Sequence, residues 1–180
     1  MPQNQLTIET PIGTLSFSLQ VTEGDLRTAQ INSCKTEPDL SKGMSVEGCF
    51  TILLRCLSPT PIKGLKFFCT WGNLSVAGYG NSGEALDAWE WEHNNTIVMV
   101  GTEDDEWLRS RINLKESGPD EYSVSMINNC IKIQIDEFPP NQELSLHYVV
   151  AWNSLPEKTD SSCWFAIDIP HEKILEINKR

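Results

Sequence analysis

Alternation of apolar and polar residues with a period of two is the strongest pattern in this chain. In residues 14–21, TLSFSLQV, every second side chain is apolar, and similar alternation recurs in residues 122–135, 143–152 and 163–169. A period of two is that of a β-strand, whose successive side chains point to opposite faces of a sheet. The chain is therefore predicted to be built of strands, with residues 163–169 as the last of them.

Some of these strands are predicted to be covered on both faces. In residues 49–57, Ile52 and Leu54 share one face, while Leu53 lies on the opposite one. A strand with one wet face would carry polar residues there instead.

Glycine, proline, asparagine and aspartate separate roughly ten such segments. The helix candidates are short, at residues 83–91 and 172–177. The predicted fold is all-β, an antiparallel β-sandwich of roughly ten strands with at most one or two short helices. Its length suits a single β-sandwich domain over residues 1–180.

Asn128 and Asn129 separate the alternating segments YSVSMI and CIKIQI. Asparagine tolerates positive φ, so this pair suits the type I′ turn of a β-hairpin. A shift of one residue would mix apolar and polar faces, so the register is well specified. The following strand, residues 143–152, is expected to extend the hairpin as a meander. The predicted pairs are Ile127–Cys130, Met126–Ile131, Val124–Ile133 and Tyr122–Ile135.

Residues 78–83, GYGNSG, have the Gly-x-Gly-x-x-Gly spacing of dinucleotide-binding loops. That function needs an amphipathic helix directly after the glycines, with its N-terminus at the phosphates. Residues 83–91 offer a short helix at most, and Asp87 would repel a phosphate there. The three glycines are therefore predicted to supply positive φ in a loop between strands.

The chain carries 25 acidic and 14 basic residues, a net charge of −11. This charge repels phosphate backbones and anionic lipids, so neither nucleic acid nor a membrane is expected as a partner. It suits docking to a basic protein. Residues 1–13 lack the features of a signal peptide, and the six cysteines are irregularly spaced. We expect reduced thiols and a cytoplasmic location.

The densest run of charge is Glu103-Asp104-Asp105-Glu106, which is followed by Trp107. Consecutive carboxylates on a strand point to opposite faces, which is a poor arrangement for a metal site. As a docking patch, the run would attract a basic partner, with Trp107 as an aromatic anchor. The alternative is a solvated loop over a buried tryptophan.

Trp89 and Trp91 alternate with Glu90 and Glu92. If the two rings are exposed, they line a groove for a carbohydrate or another small ligand. If they face the core, the segment is an ordinary half-buried strand.

No local motif predicts catalysis. The three histidines, His93, His147 and His171, lack a metal-binding spacing, and no nucleophile elbow is present. Catalytic residues, metals and cofactors are therefore not expected. The leading hypothesis is a non-enzymatic cytoplasmic protein–protein interaction module, in one form an acidic inhibitor or immunity-type protein that covers a basic enzyme. The alternative is a sandwich that binds, or also hydrolyses, a carbohydrate or small ligand in a tryptophan-lined groove.

Overall fold

The computed structural model describes residues 5–83, 85–113, 122–154 and 162–179. Within these ranges the chain forms eleven strands and three short helices. In chain order the strands are β1 (Gln5–Thr10), β2 (Gly13–Gln20), β3 (Gln30–Lys35), β4 (Gly48–Leu57), β5 (Ile62–Trp71), β6 (Tyr79–Gly83), β7 (Leu86–His93), β8 (Thr96–Glu103), β9 (Val124–Ile127), β10 (Cys130–Phe138) and β11 (Glu143–Ser154). The helices are α1 (Asp105–Arg111), α2 (Ser162–Ile167) and α3 (His171–Ile177).

The strands form two antiparallel sheets, in the orders β1-β2-β5-β10-β9 and β3-β4-β11-β8-β7-β6. The sheets pack face to face around a hydrophobic core, which confirms the predicted β-sandwich. The third short helix exceeds the one or two expected. Of the two helix candidates, residues 172–177 lie in α3, whereas residues 83–91 contribute mainly to β7. None of the described helices is long and apolar enough to cross a membrane.

Tyr148 joins the two sheets at the centre of the sandwich. It lies in β11 and is fully buried, and its hydroxyl donates a hydrogen bond to the carbonyl oxygen of Phe67 in β5, 2.7 Å away. Its ring packs against the rings of Phe67 and Phe17, with centroid separations of 4.9 and 5.8 Å. A buried hydroxyl needs an acceptor, and here the acceptor belongs to the opposite sheet. The bond therefore ties the two sheets together.

The six-stranded sheet is apolar on its outer face as well. Leu53, Met99 and Val149 point away from the inner core and form a second hydrophobic cluster. α2 packs on β8 and β11, and α3 packs on β4, so the two helices cover this face. Since Ile52 lies in the inner core and Leu53 in the outer one, the prediction that residues 49–57 are buried on both faces is confirmed.

The segment predicted as the last strand, residues 163–169, instead forms most of α2. Cys163, Ala166 and Ile167 are buried, and Phe165 is 51% exposed. Spacings of three and four residues place the buried side chains on one face of a helix. The segment is so uniformly apolar that it fits both periods, and covering the outer face of the sheet decides for the helix.

The β9–β10 hairpin has the predicted turn, since Asn128 and Asn129 have φ of 49° and 58°. Tyr122 lies outside β9, so the predicted pair Tyr122–Ile135 is not part of this ladder. Its side chain is 70% exposed, and the backbone N–H of the next residue, Ser123, donates to the carboxylate of Asp105 in α1. The predicted meander is wrong, because β11 crosses to the other sheet, where both of its faces are covered. The pairs confirmed next to the turn are Ile127–Cys130, Met126–Ile131 and Val124–Ile133.

The glycine-rich segment, residues 78–83, ends in the edge strand β6 rather than forming a turn. Gly78, Gly80 and Gly83 do not have a left-handed φ, so the conformational role predicted for them is wrong. Their missing side chains make room for tryptophan rings instead. A Cβ atom on Gly78 would lie 2.4 Å from Nε1 of Trp91, which is closer than two such atoms can approach.

Replacing Gly78 with alanine should therefore destabilise the fold more than the same change at Gly80. Trp91 is 1% exposed, and its Nε1–H donates to the side-chain carbonyl of Asn129, 3.1 Å away, so it cannot easily move. A Cβ atom on Gly80 would lie 3.3 Å from Nε1 of Trp89, which a small shift relieves. Urea unfolding should show a loss of about 1–3 kcal/mol for Gly78→Ala and about none for Gly80→Ala. Equal losses would contradict the packing explanation.

Candidate functional site

Helix α1 borders two concavities. Asp105 and Glu106 line one of them, and Trp107 and Arg111 line the other. The helix begins after Asp104, whose carboxylate accepts a hydrogen bond from the backbone N–H of Trp107, 2.7 Å away. Its first turn carries acidic residues and its last turn basic ones, and both interact favourably with the helix dipole.

This helix divides the acidic run that was predicted as one docking patch. Glu103 is the last residue of β8 and lines one concavity with Arg111, whereas Asp104–Glu106 line the other. Trp107, the predicted anchor, is 60% exposed. The solvated loop over a buried tryptophan, which was the alternative, is therefore wrong.

The first concavity, here named the acidic depression, has a volume of about 450 Å³. The carboxylates that line it come from two parts of the chain. Asp87 lies in β7 and pairs with Thr102 near the end of β8, and Asp104–Glu106 follow the end of β8. The residues that line the acidic depression are Ser82, Gly83, Asp87, Trp89, Asp104, Asp105, Glu106, Tyr122 and Val124.

Asp87 is the carboxylate that this environment perturbs most clearly. Burial, followed by the charges of Asp104 and Asp105, raises the pKa of Asp87 to about 6. Asp105 has a countercharge, since Nε of Arg109 donates to it over 2.7 Å. Among the described residues, no basic side chain contributes to the shift at Asp87. The repulsion between these carboxylates is thus only partly offset. When Asp87 is ionised, this repulsion lowers the free energy of unfolding.

The second concavity, here named the histidine cleft, has a volume of about 370 Å³ and lies between residues of β8, α1, β11 and α3. In the register of β11 with β8, Val149 is opposite Gly101. Two residues beyond this pair, His147 and Glu103 are also neighbours, with Nδ1 of His147 3.9 Å from Oε2 of Glu103. His171 is the first residue of α3 and also lines the cleft.

Five polar residues form a connected network at the cleft. Nδ1 of His147 lies 2.8 Å from Nδ1 of His171, and Nε2 of His171 lies 2.8 Å from Oγ of Ser145. Arg111 donates from Nε and Nη2 to the two carboxylate oxygens of Glu103, both over 2.7 Å. Nη2 of Arg111 also donates to the carbonyl of Ser145 over 2.9 Å. Oε2 of Glu103 lies 3.9 Å from Nδ1 of His147.

Both histidines of this network are neutral at ordinary pH. Burial, and then the charge of Arg111, lowers the pKa of His147 to about 3. Burial, and then the charges of His147 and Arg111, lowers the pKa of His171 to about 3. Because His147 is neutral, its approach to Glu103 is not an ion pair, and the carboxylate is balanced by Arg111.

Ser145 and His171 have the separation of a nucleophile and its general base. However, Ser145 is buried and does not line the cleft, so its hydroxyl is not placed to attack a bound ligand. Its contact with Nε2 instead holds the ring of His171 in one orientation.

The structure places Trp89 and Trp91 in the inner core, where they are 8% and 1% exposed. Trp91 packs edge-on against Trp71, with ring centroids 5.4 Å apart. Of the two orientations considered from the sequence, the core-facing one is confirmed. The alternative function, a carbohydrate stacked on these two rings, therefore lacks the open surface that it requires.

His147 and His171 were missed as a pair because they come from separate elements and have no local spacing in common. One signal was present in the sequence. Glu143, Ser145 and His147 are polar residues on the same face of an otherwise apolar strand. Polar side chains on a covered face need partners, and the structure supplies them for Ser145 and His147.

Comparisons with known proteins do not identify a family for this chain. No protein-family model and no curated protein matches the sequence. Among solved structures, the fold is similar to part of a protein described as "Putative kojibiose phosphorylase from human microbiome", with a TM-score of 0.44 and 11% sequence identity. The similarity covers 92% of this chain but 22% of that protein's length. At this TM-score no function is carried over.

Replacing Asp87 with asparagine should stabilise the protein at pH 7.5 and leave its stability nearly unchanged near pH 4. The folded-state pKa of Asp87, about 6, lies above the ordinary value of 3.8, so protonation of this group favours the folded state. That stabilisation is complete below pH 3.8 and is lost as the pH rises through 6. The variant should therefore gain about 1–3 kcal/mol in the free energy of unfolding at pH 7.5, measured in urea at both pH values. A loss of stability at pH 7.5 would show instead that the ionised carboxylate has a stabilising partner.

Proposed function

We propose that this protein is a non-enzymatic interaction module whose acidic depression docks a basic side chain of another protein. The observation that carries the proposal is that Asp87, Asp104, Asp105 and Glu106 line one depression, where burial and the charges of Asp104 and Asp105 raise the pKa of Asp87 to about 6. A group of carboxylates that destabilises its own fold is typical of a site kept for binding. A lysine or arginine side chain inserted among them would offset their repulsion.

Two exposed aromatic residues, one in the depression and one beside it, support the same function. Tyr122 lines the acidic depression and is 70% exposed, whereas Trp107, next to Glu106 on α1, is 60% exposed and lines the histidine cleft. Aromatic side chains are enriched at the energetic centres of protein interfaces, and their rings attract cations. The patch thus combines negative charge with large apolar contact area.

One concrete form of this function is an acidic inhibitor of the immunity type, which covers the positive site of a basic enzyme. The net charge of −11 would speed association with such an enzyme and disfavours nucleic acid as the partner. We propose a cytoplasmic location for this function, because the six cysteines, which form no disulfide bonds, would remain reduced there.

The test is affinity capture with the immobilised protein, followed by titration of the purified partner. The wild type is compared with Asp87→Asn and with Asp39→Asn, which changes the net charge equally at an exposed site outside the depression. We expect a basic partner that binds less tightly at high salt. Its affinity should fall about tenfold or more for Asp87→Asn and stay unchanged for Asp39→Asn.

Two results would contradict this function. One is an affinity that does not depend on ionic strength. The other is a partner that binds Asp87→Asn as tightly as the wild type, since that variant is expected to be folded and more stable.

A further inference from the structure

We propose that Glu103, His147 and His171 form a binding site for one divalent transition-metal ion, with Zn²⁺ as the probe of choice. Each residue offers one ligand atom, and the three atoms lie within 4.8 Å of one another. The site goes beyond the docking function, because it lies in the histidine cleft and not in the acidic depression.

The donor set has the composition of known metal sites. Two imidazoles and one carboxylate bind zinc in catalytic sites that keep a fourth position open, and the same set binds iron in some oxygenases. All three residues line the histidine cleft, whose volume of about 370 Å³ leaves space for a water molecule or small ligand at that position.

The ring of His171 is held in an orientation that suits coordination. Its Nε2 contacts Oγ of Ser145 at 2.8 Å, which directs Nδ1 toward His147. A hydrogen-bonded second ring nitrogen is the usual support of a metal-binding histidine. The two Nδ1 atoms are 2.8 Å apart. Tetrahedral zinc would hold each pair of ligand atoms about 3.3 Å apart. The rings therefore need to separate by about half an ångström, and Oε2 of Glu103, 3.9 Å from Nδ1 of His147, needs to approach by a similar distance.

The charge of the cleft suits a divalent cation despite Arg111. The charged side chains among its lining residues are Glu103, Asp168, Glu172 and Arg111, three carboxylates against one guanidinium, which gives a net charge of −2. Arg111 contacts both oxygens of Glu103. A metal at Oε2, the oxygen nearer His147, would leave the bond from Nε of Arg111 to Oε1 in place, as a support of the ligating carboxylate.

The experiment titrates the chelator-treated full chain with Co²⁺ and with Zn²⁺. We expect one ion per chain, with a Co²⁺ visible spectrum of nitrogen and oxygen ligands and no thiolate charge-transfer band. In long-range ¹H–¹⁵N spectra of the wild type, Zn²⁺ should shift the ring nitrogens of His147 and His171 but not those of His93. This readout needs no variant, so it holds even if a substitution prevents folding.

Variants then compare the ligands with matched controls. His147→Gln and His171→Gln should each weaken Zn²⁺ binding by about 100-fold or more, and Ser145→Ala by about tenfold. His93→Gln, at the half-buried last residue of β7, should leave the affinity unchanged. A thiolate band, unshifted resonances of His147 and His171, an affinity equal to wild type in both ligand variants, or no saturable binding would each overturn the proposal.

Discussion

The structure depends on covering a sheet that is apolar on both faces. Burying one face of the six-stranded sheet against the five-stranded one leaves residues such as Leu53 and Val149 on the other face, where exposure to water is costly. The C-terminal helices α2 and α3 remove that cost by packing across it. Because α3 begins with a buried histidine, the same coverage brings His171 onto the strand that carries His147.

Helix α1 separates the acidic depression from the histidine cleft and is itself held from both sides. On one side the carboxylate of Asp105 accepts a hydrogen bond from the backbone N–H of Ser123, and on the other Arg111 contacts Glu103. Both regions contain groups whose pKa burial has shifted, upward for a carboxylate and downward for imidazoles, and in both cases toward the neutral form. A cation bound in the acidic depression would lower the pKa of Asp87 again. A metal ion bound in the histidine cleft would coordinate imidazoles that burial already keeps neutral, which is the form that binds metals.

Much of the fold follows from local sequence patterns. The predictions that were wrong concern segments whose pattern is compatible with two different structures. Asn128 and Asn129 determine the β9–β10 hairpin, because few other residues adopt positive φ in a two-residue turn. Residues 163–169 were wrongly predicted as a strand, since a uniformly apolar segment fits either period. The glycines of residues 78–83 are predicted to supply positive φ in a loop, but they are required by tryptophan rings of the next strand, β7, and of α2, and that requirement arises only when these elements pack together.

By itself, the sequence determined most of the strands, the all-β class, the sandwich and the net charge of −11, because these follow from periodicity, turn residues and composition. It did not determine which polar residues share a site. Glu103 was read with its acidic neighbours, yet the strand end and the helix that follows turn it toward His147 and His171, which are 24 residues apart in the chain. Which polar residues come together depends on the register of the sheet and on which helices cover it. Both depend on contacts between residues far apart in sequence.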